Sequence, residues 1–273
     1  MRVCLMIEGQ EGVTWDQWRA LAETAEASGF EALFRSDHYE SLDGPPNRGS
    51  LDAWGTINAL AALTSTLKLG TLVSPVTFRH PSTLARSVVT AEHVSGGRIE
   101  LGIGAGWHEG EHRSFGFPFD TRGERFDRLE EQIEIVSRSW DQDPFDFDGR
   151  FYRLEQCDAQ PKPTRRPNLI LGGSARPRGA QLAARWADEY NTVHPTPDEA
   201  RERKATIDQA CRDAGREPIT FSAMVPLEGA PDALIENLRG LAEAGVERVM
   251  LQHLAHEDLA TVELVGREVI AAV

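Results

Sequence analysis

The pattern that most constrains this chain lies between Leu67 and Trp107. An apolar run, Leu67-Lys68-Leu69-Gly70-Thr71-Leu72-Val73-Ser74-Pro75-Val76, precedes a segment opened by Pro81 and closed by Gly96-Gly97. A second run follows, Arg98-Ile99-Glu100-Leu101-Gly102-Ile103-Gly104-Ala105-Gly106-Trp107. Proline suits the first turn of a helix, where an N–H would be unpaired anyway, and glycine suits its end. Strand, helix and strand at this spacing form a crossover unit, so the two strands are expected to be parallel. Small residues crowd the C-terminal ends of both strands, which is where α/β proteins bind ligands.

The rest of the chain repeats this unit. Residues 2–7 read as strand one. Thr14 with Gln17 makes a capping box, Trp15, Trp18, Leu21, Ala22 and Ala25 recur at helical spacing, and Gly29 stops the helix. Residues 30–35 are strand two, ending in Ser36-Asp37-His38; Gly44-Pro45-Pro46-Asn47 then turns into a helix over about 52–64. After strand four, residues 108–123 are polar and read as a loop. Phe126, Leu129, Ile133, Val136 and Trp140 share a helix face. Residues 145–154 read as a hairpin insertion around Asp148-Gly149, and Pro161, Pro163 and Pro167 as an extended connector.

Strand five (168–171) ends in Gly172-Gly173-Ser174, and a helix over 178–186 leads to strand six (189–193). Thr196-Pro197-Asp198-Glu199 opens the next helix, which ends near Gly215. Strand seven (219–226), a helix from Pro231 to Gly245, strand eight (248–251) and a last helix over 257–272 complete the series. Eight strands alternating with eight helices point to an α/β fold, a (β/α)8 TIM barrel forming one domain over 1–273. The rival, a doubly wound open sheet, seldom uses all eight units.

Composition narrows the function classes. The 273 residues, 40% hydrophobic, suit one large domain or two small ones. No stretch approaches the ~18 consecutive apolar residues of a membrane span. Glu8 and Gln10 interrupt the N-terminal apolar run before a signal-peptide core forms. A net charge of -14 argues against a nucleic-acid partner. Cys4, Cys157 and Cys211 are scattered and lack metal-ligand spacing. Cys4 and Cys211 read as small buried hydrophobes, and a reducing cytoplasm is the default location.

In such a barrel the site lies at the C-terminal strand ends. That rule selects Glu8, Asp37 and His38, Thr71 to Ser74, Gly104 to Trp107, Gly172 to Ser174, Asn191 to His194 and His253, with Glu111 and His112 nearby. The ordinary pKa of histidine lies near neutrality, which suits His38 to proton transfer; the alternative is a structural histidine. Gly102-Ile103-Gly104-Ala105-Gly106 is not a dinucleotide fingerprint, because Trp107 stands where a third glycine belongs. It either lets a flat ligand approach the backbone or packs the barrel end tightly. Gly172-Gly173-Ser174 is either a phosphate site at a helix start or a plain turn. His108, Glu109, Glu111 and His112 do not match the His-Glu-x-x-His zinc spacing, and Gly110 weakens a helix, so no metal is expected.

Several of these segments carry a resemblance in order along nearly the whole chain. They are Ser36-Asp37-His38, Leu69 to Pro75, Arg98 to Trp107, Glu111-His112 with Phe115-Gly116, and Pro167 to Gly173 with Ala187-Asp188. Together they resemble the luciferase-like monooxygenase superfamily, and more closely its F420-dependent oxidoreductase branch. The resemblance implies a 5-deazaflavin, F420, or alternatively FMN, at the barrel mouth. It implies a bulge in strand three with a non-prolyl cis peptide near Leu72–Val73, backing the central ring. It places His38 near the redox carbon and the cofactor phosphate at Gly172, Gly173 and Ser174. Asp37, Thr71, Leu72, Val73, Gly104, Ala105 and Gly106 are the remaining cofactor-binding candidates.

One departure stands out. Sugar-phosphate dehydrogenases of this branch carry a glutamate directly after the glycine ending strand four, where this chain has Trp107. Trp107 then walls an apolar pocket or packs in the core, and Glu111 is the nearest replacement acid. The expected catalytic residues are therefore His38 and Glu111, and those facing a small-molecule substrate Glu8, Trp107 and His253. The expected activity is hydride transfer between F420 and a small organic substrate. The rivals are a monooxygenase fed reduced FMN by a separate reductase, and a non-catalytic flavin-binding protein whose mouth is occluded by the segment after Trp107. Family members often form homodimers through helices two and three, where Trp54, Ile57, Leu60 and Ala61 either meet a second copy or face the barrel.

Overall fold

Runs such as Val3-Cys4-Leu5-Met6-Ile7 lack alternation of polar and apolar residues, as a strand covered on both faces requires. In the computed structural model, which describes residues 1–42, 47–141 and 144–273, these runs close into a parallel barrel. The turn residues Gly44 to Pro46 lie outside the described residues. The chain begins β1 (Arg2–Ile7), α1 (Trp15–Ala27), β2 (Ala32–Arg35), α2 (Ala53–Leu63), β3 (Lys68–Pro75), α3 (Pro81–Ser95) and β4 (Ile99–Gly104). Then come α4 (Glu109–Phe115), α5 (Arg122–Asp141) and an antiparallel hairpin, β5 (Phe145–Asp148) with β6 (Arg153–Cys157). The second half is β7 (Asn168–Gly172), α6 (Pro177–Trp186), β8 (Glu189–Val193), α7 (Pro197–Asp213), β9 (Thr220–Pro226), α8 (Pro231–Glu243), β10 (Arg248–His253) and α9 (Leu259–Leu264). Barrel strands five to eight of the sequence reading are thus β7 to β10. Around the ring the order is β1-β10-β9-β8-β7-β4-β3-β2.

Successive residues of a strand face opposite sides. Cys4 and Met6 of β1, Ala32 and Phe34 of β2, Ile170 of β7 and Met250 of β10 cluster together inside the ring. Leu5, Leu33, Leu169 and Leu251 belong to the separate, larger core shared with the helices. At the N-terminal floor Arg248, only 1% exposed, donates to Glu100 Oε2 at 2.6 Å and to Glu189 Oε2 at 2.9 Å.

Local signals and tertiary structure agree at most junctions. Thr14 and Thr196 accept the amides of Gln17 and Glu199 in capping boxes, and Gly96 ends α3 in the left-handed conformation. Two expectations need correction, and one pair of open readings is decided. The polar stretch after Trp107 contains the helix α4, ended by Gly116 at φ 71°; seven residues are too short for a periodic signal, and Gly110 hides it. The last helix is unbroken but not α throughout: α9 passes into a π-helical turn at Val265–Val269, where Gly266 packs on the backbone of Ser28, and ends in a 3-10 turn at Ile270–Ala272. Trp54, Ile57, Leu60 and Ala61 of α2 are all buried in the core of this one chain, so they are not a free pairing face.

Candidate active site

The site is built around an irregularity in β3. Its register against β4 shifts between Thr71 and Ser74, and the Leu72–Val73 peptide is cis. The glycines of β4 make room for this bulge. A Cβ at Gly102 would lie 2.1 Å from Thr71 O, and one at Gly104 would lie 2.8 Å from Val73 Cγ2. Neither position tolerates a side chain while the bulge stands. Tight packing and room for a ligand are therefore not alternatives: Gly102 serves the first, and Gly104, Ala105 and Gly106 line the cavity beyond.

The bulge is held from outside the ring. Thr71 Oγ1 donates to Gly102 O at 2.9 Å. Ser74 Oγ donates to Asp37 Oδ2 at 2.7 Å and accepts from Trp54 Nε1 at 3.1 Å. Arg79 pairs with the same Asp37 carboxylate. Asp37 and Thr71 are buried and do not line the cavity. Their place is behind the bulge, outside the cavity lining.

A cavity of about 550 Å³ opens at the C-terminal rim. The strand order divides its wall into two arcs. Along β7, β4 and β3 the lining is small or apolar: Gly172, Gly173, Gly104, Ala105, Leu72 and Val73. The other arc, β2, β1, β10, β9 and β8, carries the polar His38, Glu8, Gln252 and His194, with the apolar Met224 of β9 and Val193 of β8 among them. Glu8 accepts from Gln252 Nε2 at 2.6 Å and from Gln10 Nε2 at 2.9 Å. His194, with a left-handed backbone at φ 43°, has Nε2 3.0 Å from Gln252 Oε1.

His38 Nδ1 lies 2.8 Å from Glu111 Oε2. Glu111 is fully buried, and its Oε1 accepts the amides of Tyr39 and, at 3.3 Å, Glu40. Burial alone would lower the His38 pKa, but its hydrogen bond to Glu111 and the nearby carboxylates outweigh it and raise the value. Burial likewise opposes ionisation of Glu111, yet His38 and the two amides hold its carboxyl below the ordinary range. Trp107 is 64% exposed, with its ring edge-on to His38 at 5.8 Å. It is a rim residue, not part of the core.

Beyond the small arc, Gly173 N–H donates to Asn191 O and Ala175 N–H to Tyr190 Oη. A Cβ at Gly173 would approach Tyr190 Oη to 2.8 Å. The first backbone hydrogen bond of α6 is Ala180 N–H to Arg176 O, which leaves the Arg178 and Gly179 amides of its first turn without a backbone partner, and Gly179 lines the cavity. Arg122 and Arg176 also line the cavity. Among the described residues neither pairs with a carboxylate, whereas the nearby Arg178 and Arg185 pair with Asp127 and Glu130.

The structure thus brings Glu8, His38, Leu72, Val73, Gly104 to Trp107 and Gly172 to Ser174 to one cavity. It does not bring His253 there. That residue falls on the outward face of β10, where its Nε2 meets Asp258 O at 3.1 Å, and the inward neighbour Gln252 lines the cavity instead. Strand parity carries this signal, since Met250 faces inward and Gln252 is two residues on. Arg122 and Arg176 were also outside the sequence reading; they come from helix starts, which no strand-end rule samples. Both ring nitrogens of His112 are occupied, by Thr77 Oγ1 at 2.6 Å and His108 O at 2.7 Å.

Fold and site together define a (β/α)8 barrel protein with its cavity at the C-terminal rim. The chain belongs to the luciferase-like monooxygenase family, whose model matches residues 3–262. It is 34% identical over 187 residues to an FMNH(2)-dependent dimethylsulfone monooxygenase of Pseudomonas putida, covering 67% of this chain and 50% of that one. It is 33% identical over 176 residues to an F420-dependent glucose-6-phosphate dehydrogenase of Nakamurella multipartita, covering 63% and 50%. The chain spans about half the length of these relatives. An F420-dependent secondary alcohol dehydrogenase solved with an F420-acetone adduct matches 100% of this chain and 99% of its own at a TM-score of 0.89; at 17% identity this is a likeness of fold.

Proposed function

We propose that residues 1–273 form one oxidoreductase domain that transfers hydride between F420 and a small organic substrate in this cavity. The observation that supports the reading most is His38, backed by a buried carboxylate at 2.8 Å and set beside an arc of glycines. Hydride transfer to or from an oxygenated carbon is matched by a proton, and an imidazole at the wall can hold or release it. When bound, F420 supplies the hydride chemistry of its deazaflavin ring. The chain does the rest. Leu72, Val73, Gly104, Ala105 and Gly106 seat a planar ring, and Gly172 to Ser174 with Arg122 and Arg176 receive its anionic end. Glu8 and Trp107 face the substrate, and His38 moves the proton at Nε2.

The second reading, a monooxygenase using reduced FMN, is favoured by the Pseudomonas relative at 34% identity. A homodimer, a separate reductase supplying reduced cofactor and a cytoplasmic setting belong to the same proposal and rest on the family resemblance and the three free cysteines. No described helix is long and apolar enough to cross a membrane. Titration of the purified protein with F420 and, in parallel, with FMN tests the assignment. A saturable change in F420 fluorescence is expected; saturation by FMN alone would transfer the proposal to the second reading.

A further inference from the structure

We propose that Glu111 is a positioning residue that fixes the tautomer of His38, so that α4, which lines none of the cavity, decides which ring nitrogen exchanges protons there. The inference rests on the reading of His38 as the proton-handling group and deepens it.

The geometry leaves little freedom. An ionised carboxylate only accepts hydrogen bonds. Glu111 Oε2 stands 2.8 Å from His38 Nδ1, so Nδ1 carries its proton whether the ring is neutral or cationic. The other oxygen is already committed to the amides of Tyr39 and Glu40, which are fixed donors. The exchangeable proton of His38 is therefore confined to Nε2. A neutral His38 offers a lone pair there, and a cationic His38 offers a proton.

The charged and titratable groups around His38 support this division. Glu111 from α4 makes the hydrogen bond; Glu8 after β1 and Asp37 beside it add negative charge. Asp37 is already taken by Arg79 and Ser74. His108, in the turn before α4, stands edge-on to His38 with ring centres 6.4 Å apart, and its Nδ1 is 3.9 Å from Glu111 Oε2. At that range it does not compete with His38 for the carboxylate. The arrangement follows the general rule that a buried carboxylate behind an imidazole sets its tautomer and orientation.

Glu111→Gln separates tautomer control from simple support. The Tyr39 and Glu40 amides require an acceptor, so the glutamine oxygen stays on their side and its NH₂ group faces His38. Nδ1 must then accept, and the neutral ring carries its proton on Nε2. ¹⁵N NMR of histidine-labelled protein without cofactor reads this directly, with His38→Asn assigning the resonance. In the unsubstituted protein neutral His38 should be protonated at Nδ1. In Glu111→Gln it should be protonated at Nε2, and its titration midpoint should fall. An Nε2-protonated neutral ring in the unsubstituted protein overturns the inference even where the variant does not fold, and so does an unchanged tautomer in a folded variant. Because no cofactor is present, failure here is distinct from failure of F420 to bind.

Discussion

A chain with net charge -14 has many carboxylates to pair with its cations, yet Arg122 and Arg176 lie at the cavity with none among the described residues. Positive charge left open beside unpaired helix amides suits an anionic ligand group. Replacing both residues by alanine should weaken F420 binding about tenfold or more, since a hydrogen bond to a charged group contributes roughly 1.5–3 kcal/mol. The gap between variant and parent should shrink at high salt, where exposed charges are screened. Fluorescence titration at two ionic strengths measures both effects, and equal affinities would remove the arginines from the site. At this scale the sequence was legible where strand ends carry the chemistry. Glu8 and His38 continue the inward parity of Met6 and Phe34, and the same parity would have exchanged His253 for Gln252. The positioning role of Glu111 was not legible, because it depends on a helix too short to announce itself.

At the scale of elements, α1 is tied to the start of β3 by Glu26. Its Oε1 accepts the amides of Ser65 at 2.8 Å, Thr66 at 2.5 Å and Leu67 at 2.9 Å. Burial by itself would raise the carboxyl, but the backbone amides of Thr66, Leu67 and Ser65 outweigh it and lower the pKa to about 2. A value depressed on folding contributes stability that is present above the unfolded value and lost as pH falls through about 2. Solvent screens this half-buried group, so the contribution is about 1 kcal/mol rather than the full shift. Urea denaturation of Glu26→Gln should show a loss of about that size at pH 7 that narrows as pH falls toward about 2, and a pH-independent gap would contradict the anchor. Most elements were readable because caps, prolines and glycines mark their ends, as Thr14, Pro81, Gly96 and Thr196 show. The π-helical turn near the C-terminus coincides with close packing of Gly266 on Ser28, a tertiary contact that no local sequence signal marks.

Across the whole molecule the barrel separates two jobs. The floor is closed by Arg248 with Glu100 and Glu189, all nearly inaccessible. Met6, Phe34, Ile170 and Met250 fill the ring, with Glu8 and Gln252 at its opposite, open end. Stability at one end and ligand chemistry at the other is the usual division in such barrels. In the proposed function a planar cofactor lies on the arc formed by β7, β4 and β3. Gly172 offers the cleanest probe, because a Cβ there meets only Val73 Cγ1 at 3.5 Å, an ordinary contact, while the position lines the cavity. The measurement is F420 affinity of Gly172→Val beside the parent, with circular dichroism confirming an intact fold. Affinity at least about tenfold weaker, or 1.4 kcal/mol, is expected; undiminished affinity in a folded variant would contradict the seating of the cofactor on this arc.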